Sequence, residues 1–318
     1  MVSEGVEMVI YVVEGLIVMA ANLPVALTIF FLKKFRNSKE FTFIGGLCLA
    51  DVVYGLCYVC AGISRLHMYS TGEDKLLRTR VECYWAPWVV LSFAGYQGTA
   101  VLTLLVAFDR LIAVFVPVWY VKFSRTKRIV VMCATFLFVV ATIPVAFVFE
   151  MKSPDGQGLV SAECYFSKSL IAPLWNFVLS FRVFAVLLSV IFYIPIGYRV
   201  RKLVNDNKKR SVLKNTHLIH LTATIALTTT VSLVLIVVPD IFFLFNFGNI
   251  GSDYHLVFYL ISLNNCVVNL LLYSFRHKEL RSAVASGIRM VLRREMSTQT
   301  RHVAVVRDVP TRTLNMLS

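Results

Sequence analysis

The sequence predicts an all-α membrane protein, a bundle of seven transmembrane helices followed by a short amphipathic helix. Of its 318 residues, 58% are apolar and only 16% are charged, whereas a soluble domain is nearer half apolar and a quarter charged. The apolar residues form seven runs, each long enough for the roughly 20 helical residues that cross a bilayer. No run alternates with a period of two over barrel-length segments, which argues against a β-barrel.

The seven runs occupy most of the chain and leave no sizeable soluble domain. We expect one membrane domain over residues 1–295, including the interfacial helix after the last span, and a flexible tail over residues 296–318. The predicted spans are Met8–Leu32, Phe41–Ile63, Tyr84–Phe115, Ile129–Phe149, Leu170–Tyr198, Leu218–Phe247 and His255–Phe275.

Lysine and arginine are distributed unevenly between the two sides of the predicted bundle. Of the 32 basic residues, 24 follow odd-numbered spans and six lie in the N-terminus or the even-numbered loops. The positive-inside rule therefore predicts a plasma-membrane protein with its N-terminus outside and its C-terminus in the cytoplasm. The net charge of +14 then reflects topology and contact with anionic lipid, not nucleic-acid binding.

Two of the seven cysteines reach the predicted outer side, where disulfides persist. Cys83 begins the third span and Cys164 lies in the loop before the fifth. We predict that they pair and pin this loop over the mouth of the bundle. The other five lie inside spans, where we expect them to pack as small apolar residues: Cys48, Cys57, Cys60, Cys133 and Cys266.

A charged pair, Asp109-Arg110, closes the third apolar run. Such a pair is costly unless its charges face the bundle interior or reach the interface. Followed by Pro117 and Tyr120, it resembles the Asp/Glu-Arg-Tyr region of rhodopsin-like (class A) G-protein-coupled receptors. The stretch Leu47-Cys48-Leu49-Ala50-Asp51 resembles the Leu-x-x-x-Asp signature of the second span in that family, and Asn269-Leu270-Leu271-Leu272-Tyr273 resembles Asn-Pro-x-x-Tyr with leucine replacing proline.

The chain departs from the family pattern at several positions. The fourth span has no tryptophan, and Val237 stands where an aromatic residue usually precedes the hinge proline, here Pro239. The segments Asp-Arg-Leu-Ile-Ala-Val-x-x-Pro-x-Trp-Tyr and Tyr-Ser-Phe-Arg-His-Lys-Glu-Leu-Arg resemble the nematode serpentine chemoreceptors, especially the Srsx class. The resemblance implies a chemosensory or neuropeptide-type receptor for a small molecule or peptide, coupled to a heterotrimeric G protein.

The resemblance also implies an activation switch at the cytoplasmic end. Arg110 would face the G-protein cavity, with Asp109 as its nearest counter-ion. The inner end of the sixth span, Lys208–Thr230, contains no acidic residue, which predicts a weak inactive-state latch and basal signalling. The remaining switch residues are Tyr198, Pro239, Asn269 and Tyr273. Tyr198 also fits an aromatic anchor at the membrane interface.

Polar side chains inside the spans predict a cluster at mid-membrane depth, because unpaired polar groups are expensive there. One carboxylate among several oxygens suits a sodium ion at Asp51 or a protonated Asp51. The alternative is an interhelical hydrogen-bond network with a structural role only. The cluster comprises Asn22, Asp51, Thr99, Asn265 and Asn269.

Two charges in the outer halves of spans mark a possible ligand pocket. Arg182 offers a bidentate donor to an acidic ligand, with Asp240 as its resting partner. Alternatively, the two residues pair only with each other and fix the fifth and sixth spans together. Further candidates for the pocket are Tyr96, Gln97, Asn176, Phe243 and Tyr259.

The segment Arg276–Arg294 predicts an interfacial amphipathic helix, with Leu280, Val284, Ile288 and Val291 on one face. The serines and threonines of the tail are possible phosphorylation sites for arrestin binding. A plain disordered tail is the alternative.

Other classes of protein fit the sequence less well. No His-Glu-x-x-His segment is present, and His217 and His220 lack a third metal ligand, so we predict neither an enzyme nor a metal site. The last span has no lysine for retinal, and the charge distribution opposes an inverted ligand-gated channel. A seven-span transporter is the strongest alternative, but the chain shows no repeated halves.

Overall fold

The computed structural model describes residues 4–36, 41–207, 226–227, 230–245, 254–276 and 280–286. Within these ranges the chain forms a bundle of long helices with a small two-stranded sheet at one end. The helices are α1 (Glu4–Phe31), α2 (Lys33–Arg36), α3 (Thr42–Thr71), α4 (Arg80–Tyr84), α5 (Pro87–Phe115), α6 (Pro117–Lys122), α7 (Arg125–Lys152), α8 (Ala172–Asn207), α9 (Val238–Phe245) and α10 (His255–Arg276). Residues 280–286 are also helical.

The long helices correspond to the seven predicted spans. Five of them, α1, α3, α5, α7 and α8, are long and apolar enough to cross a membrane, and shorter apolar helices cover Thr230–Phe245 and His255–Asn269. We call these seven elements the first to seventh spans. The predicted all-α bundle is therefore confirmed.

Several span boundaries differ from the predicted ones. The second span continues past Ile63 to Thr71, where Gly72 adopts a left-handed conformation (φ 76°) and caps the helix. The fifth span continues past Tyr198 to Asn207. Both extensions are polar, because these helices project beyond the hydrocarbon core of the membrane. The length of an apolar run therefore does not predict them.

The third span starts at Pro87 and not at the predicted Tyr84. Proline is favourable in the first helical turn because its missing N–H group needs no partner there. Before it stands the short helix α4, which begins at a capping box formed by Thr79 and Glu82. Cys83 therefore lies on α4 and precedes the third span.

The loop end of the bundle is built from a disulfide and two short strands. Cys83 and Cys164 are bonded, which confirms the predicted pair. Strand β1 (Leu77–Thr79) pairs antiparallel with β2 (Leu159–Ser161). We call this end the disulfide end and the opposite end the Arg110 end.

The first and second spans approach each other closely through glycines. A methyl group added to Gly15 would lie 2.6 Å from the carbonyl oxygen of Gly55, and one on Gly62 would lie 2.7 Å from that of Met8. Small residues at such crossings let helix backbones come into contact, which is how membrane helices gain packing energy without a hydrophobic driving force.

The sixth span changes its helical pitch before its proline. Leu233–Val237 forms a π-helical segment, and Pro239 follows in α9. Because proline supplies no N–H group, the preceding turn must rearrange its hydrogen bonds. This distortion lies where the sequence predicted a hinge.

Candidate functional site

Four residues at the Arg110 end form a buried ionic cluster, which we call the Arg110 cluster: Asp109, Arg110, Tyr120 and Arg128. Asp109 pairs with Arg110, its neighbour in the third span. The other carboxylate oxygen of Asp109 accepts a hydrogen bond from Nη1 of Arg128 at 2.7 Å. Arg110 and Arg128 are 1% and 0% exposed, so one carboxylate serves two buried guanidinium groups.

Tyr120 completes this cluster from α6. Its hydroxyl accepts a hydrogen bond from Arg110 Nη2 at 3.0 Å and lies 3.4 Å from Asp109 Oδ2. The guanidinium of Arg128 stacks over the Tyr120 ring at 4.2 Å. Burial raises the pKa of the Tyr120 phenol, so the hydroxyl keeps its proton and remains able to donate to Asp109.

The other predicted switch residues are placed differently. The side chain of Tyr198 is 74% exposed on the fifth span, the environment of an interfacial aromatic anchor. Pro239 is buried in the sixth span. Tyr273 lies in the seventh span, but its side chain is outside the described residues, as are residues 208–225 at the inner end of the sixth span.

The mid-membrane cluster also includes Cys266, which is buried and packs in the apolar core as the sequence predicts. The Cys266 side chain lies beside that of Asp51, and its carbonyl oxygen lies 3.5 Å from Nδ2 of Asn22. Asn265 accepts a hydrogen bond from Ser232 of the sixth span at 2.8 Å. Cys266 therefore joins the first and second spans to the seventh.

Two predicted members of that cluster make fewer contacts. Thr99 donates its hydroxyl to the carbonyl of Gly95 in its own helix at 2.9 Å. Asn269 lies one helical turn beyond Cys266, and its Oδ1 is buried without a hydrogen-bond partner among the described residues.

Arg182 and Asp240 form a closed ion pair between the fifth and sixth spans. Arg182 Nε donates to Asp240 Oδ2 at 2.6 Å, and Nη2 donates to Oδ1. The side chains are 2% and 0% exposed, and Tyr96 stacks against the guanidinium at 3.8 Å. This geometry fits the structural interpretation of the pair, because a ligand would have to break it to reach Arg182.

A cavity at the disulfide end lies beside this pair, between the first, second, third and seventh spans. We call it the mouth cavity. Its walls are mainly aromatic and include Tyr11, Tyr58, Tyr96, Tyr165 and Tyr259. It encloses about 30 Å³, which is room for roughly one water molecule. A larger ligand therefore requires the walls of the cavity to move apart.

Arg65 supplies the positive charge of the mouth cavity. Its Nε donates to the carbonyl of Glu163 at 2.9 Å, and its guanidinium lies 3.9 Å from the Tyr165 ring centre. It is 4% exposed and has no carboxylate within 4.0 Å among the described residues. The sequence prediction missed Arg65, because it ended the second span at Ile63.

The remaining pocket candidates are divided among three surroundings. Phe243 packs against Trp175 and Tyr259 beside the mouth cavity. Gln97 faces the fourth span, where its Oε1 accepts a hydrogen bond from Thr142 at 3.4 Å. Asn176 is exposed on the outward face of the fifth span. Gln97 and Asn176 do not line the mouth cavity, because helical phase turns them away from the bundle axis.

Comparison with known proteins identifies the family of this bundle. A family model described as 7 transmembrane receptor (rhodopsin family) matches residues 21–273. The chain belongs to this family. A search of curated proteins found no match.

Membership of the rhodopsin family of receptors favours the receptor interpretation over the transporter or channel. The match runs from the first span to Tyr273 and includes the disulfide, the Arg110 cluster and the mid-membrane cluster. This receptor family is generally not enzymatic. The nematode Srsx-like subclass stays a prediction.

Proposed function

We propose that this receptor transmits the binding of an extracellular ligand to a heterotrimeric G protein. The Arg110 cluster carries the proposal, because it holds a buried arginine at one end of a membrane bundle by a carboxylate that a second arginine shares. Outward movement of the sixth span would expose Arg110 to the G protein. Ligand binding would favour this state by binding it more tightly than the resting state.

The first experiment compares basal signalling of wild type and Arg110→Ala with a G-protein biosensor at matched surface levels. We expect a wild-type signal that the substitution abolishes. Lys152→Ala is the control, because it removes an exposed charge at the opposite end of the bundle and should leave the signal unchanged. A signal that persists in Arg110→Ala would contradict the proposal, and no signal in either protein would favour a transporter.

We propose that the ligand enters the mouth cavity and is held by Arg65. An aromatic odorant, pheromone or peptide with an acidic group fits walls of tyrosine around a guanidinium that has no carboxylate within 4.0 Å among the described residues. Charge-assisted hydrogen bonds contribute about 1.5–3 kcal/mol, so acidic agonists found by screening should lose about tenfold or more in potency in Arg65→Gln. Arg78→Gln, in the exposed strand β1, should respond as wild type; equal potency in both variants would exclude Arg65.

We propose that Asp51 binds a sodium ion in the resting state. The buried Oδ1 of Asn269, which has no hydrogen-bond partner in the described part of the chain, supports this, since it supplies an uncharged oxygen on the helix face that carries Cys266. Replacing choline by sodium should lower basal signalling of wild type but not of Asp51→Asn. The same sodium response in both proteins would leave only the structural hydrogen-bond network.

The proposed orientation places the mouth cavity outside the cell and the Arg110 cluster in the cytoplasm. Phosphorylation of the tail, residues 296–318, would then allow arrestin to end the signal.

A further inference from the structure

A second, larger cavity lies on the outer surface of the bundle, between the third, fourth and fifth spans. We call it the lateral cavity. It encloses about 450 Å³, within the range of small-molecule sites. Exposed apolar side chains surround its opening, namely Val145, Phe149 and Phe177. Because this face of the bundle meets lipid, the opening faces the acyl chains of the membrane.

The floor of the lateral cavity is polar. Gln97 is 4% exposed, and its Oε1 accepts a hydrogen bond from Thr142. The amide nitrogen of Gln97 makes no hydrogen bond to any described residue. Gln97 and Thr142 both line the cavity, so an unsatisfied donor lies at the base of an otherwise apolar space. Such a group favours an occupant that supplies an acceptor.

The chemistry of the walls restricts the occupant. None of the residues that line the lateral cavity is charged, so a fatty acid would bury its carboxylate without a counter-ion. Gln97 lies ten residues after Pro87, about 15 Å into the helix, which is too deep for a phospholipid head group. A hydroxyl group fits, because it accepts from the amide nitrogen of Gln97 and donates to a lone pair of the Thr142 hydroxyl, whose own proton is shared with the carbonyl of Val139.

We propose that the lateral cavity binds a neutral lipid with a single hydroxyl group, of the sterol class, from within the membrane. The hydroxyl bonds to Gln97 and Thr142, and the apolar body fills the space between the fourth and fifth spans. This site is separate from the mouth cavity and does not depend on the proposed ligand or on G-protein coupling.

The test is photolabelling of the receptor in membranes with a diazirine cholesterol analogue that carries an alkyne tag. We expect labelled peptides to contain residues 142–149 or 173–177. Gln97→Leu should lower labelling about threefold to tenfold, the contribution of one or two hydrogen bonds. Val145→Trp should abolish it by filling the opening. A diazirine fatty acid should label the site much less than the sterol.

Two matched substitutions control for general effects on the helix surface. Val140 is as exposed as Val145, at 57%, but does not line the cavity, so Val140→Trp should label as wild type. Thr135 donates to Val131 of its own helix and does not line the cavity, so Thr135→Val controls for Thr142→Val. The Thr142→Val variant carries the test if Val145→Trp fails to reach the surface. The proposal would be overturned if each cavity variant were labelled as strongly as its matched control, or if the fatty acid labelled the site more strongly than the sterol.

Discussion

The buried arginines described in this receptor have three different kinds of partner. Arg182 has a carboxylate to itself, whereas Arg110 and Arg128 share Asp109. Arg65 binds only carbonyl oxygens and aromatic faces in the described structure. The closed pair of Arg182 joins two helices. The carboxylate of Asp109 can shift its hydrogen bonds from one arginine to the other, and the guanidinium of Arg65 is available to an anionic ligand.

Asp109→Asn should destabilise the receptor and raise its basal signalling. The substitution removes the carboxylate charge that Arg110 and Arg128 both contact, and breaking a buried pair costs about 3–5 kcal/mol. Thermal unfolding of the purified protein and a G-protein biosensor would measure the two effects. Asp155→Asn, at an exposed loop position, should change neither; unaltered melting of Asp109→Asn would refute the shared-carboxylate argument.

Single substitutions of the Arg182–Asp240 pair should be worse than the double substitution. Arg182→Met and Asp240→Leu each leave an uncompensated buried charge, at a cost of about 3–5 kcal/mol, whereas the double variant buries only apolar groups. Surface expression and melting temperature would show whether stability recovers. Additive losses would mean that the two residues act through other contacts.

At the level of the helix, local interruptions determine where side chains meet. The break between α4 and α5 lets Cys83 reach Cys164, and the π-helical segment before Pro239 precedes the buried pair of Asp240. The close packing of the first and second spans depends on glycine at the contact.

Gly15→Ala and Gly197→Ala should have opposite effects on stability. The new methyl group at Gly15 would lie 2.6 Å from a backbone carbonyl, whereas at Gly197 nothing lies within 4 Å. Overpacking costs about 1–3 kcal/mol, while alanine in an open helical position gains up to about 1 kcal/mol. Melting temperatures of the purified variants would test this; equal stability would show that the two helices separate easily.

At the scale of the whole molecule, contacts between distant parts of the chain close the bundle. His255 Nε2 lies 3.2 Å from Glu7 Oε1, which joins the seventh span to the first. Ser232 bonds to Asn265 between the sixth and seventh spans. The fourth span lies at the periphery of the bundle. Only 17% of its most apolar stretch is buried, so most of its surface faces lipid.

An epitope tag at the N-terminus should bind antibody on intact cells, and a tag at the C-terminus only after permeabilisation. The expectation follows from the 24 basic residues that follow odd-numbered spans. Western blots of both tagged proteins would control for expression. Staining of the C-terminal tag on intact cells would reverse the topology, and with it the assignment of the two ends.

The sequence by itself determined the features that depend on composition and order along the chain. Apolar runs predict the spans, and the location of Cys83 and Cys164 on the predicted outer side predicts their disulfide. Adjacency places Asp109 beside Arg110. Charges that must not stay unpaired in a membrane predict the contact of Arg182 with Asp240.

Only the tertiary structure decided which faces of the helices meet. The contacts of Arg128 with Asp109 and of Cys266 with Asp51 depend on how each helix is rotated about its axis, which small changes in packing determine. The same rotation turns Gln97 toward the lateral cavity, and the longer second span brings Arg65 into the mouth cavity. Spacing along one helix cannot predict these contacts, because each depends on the position of a neighbouring helix.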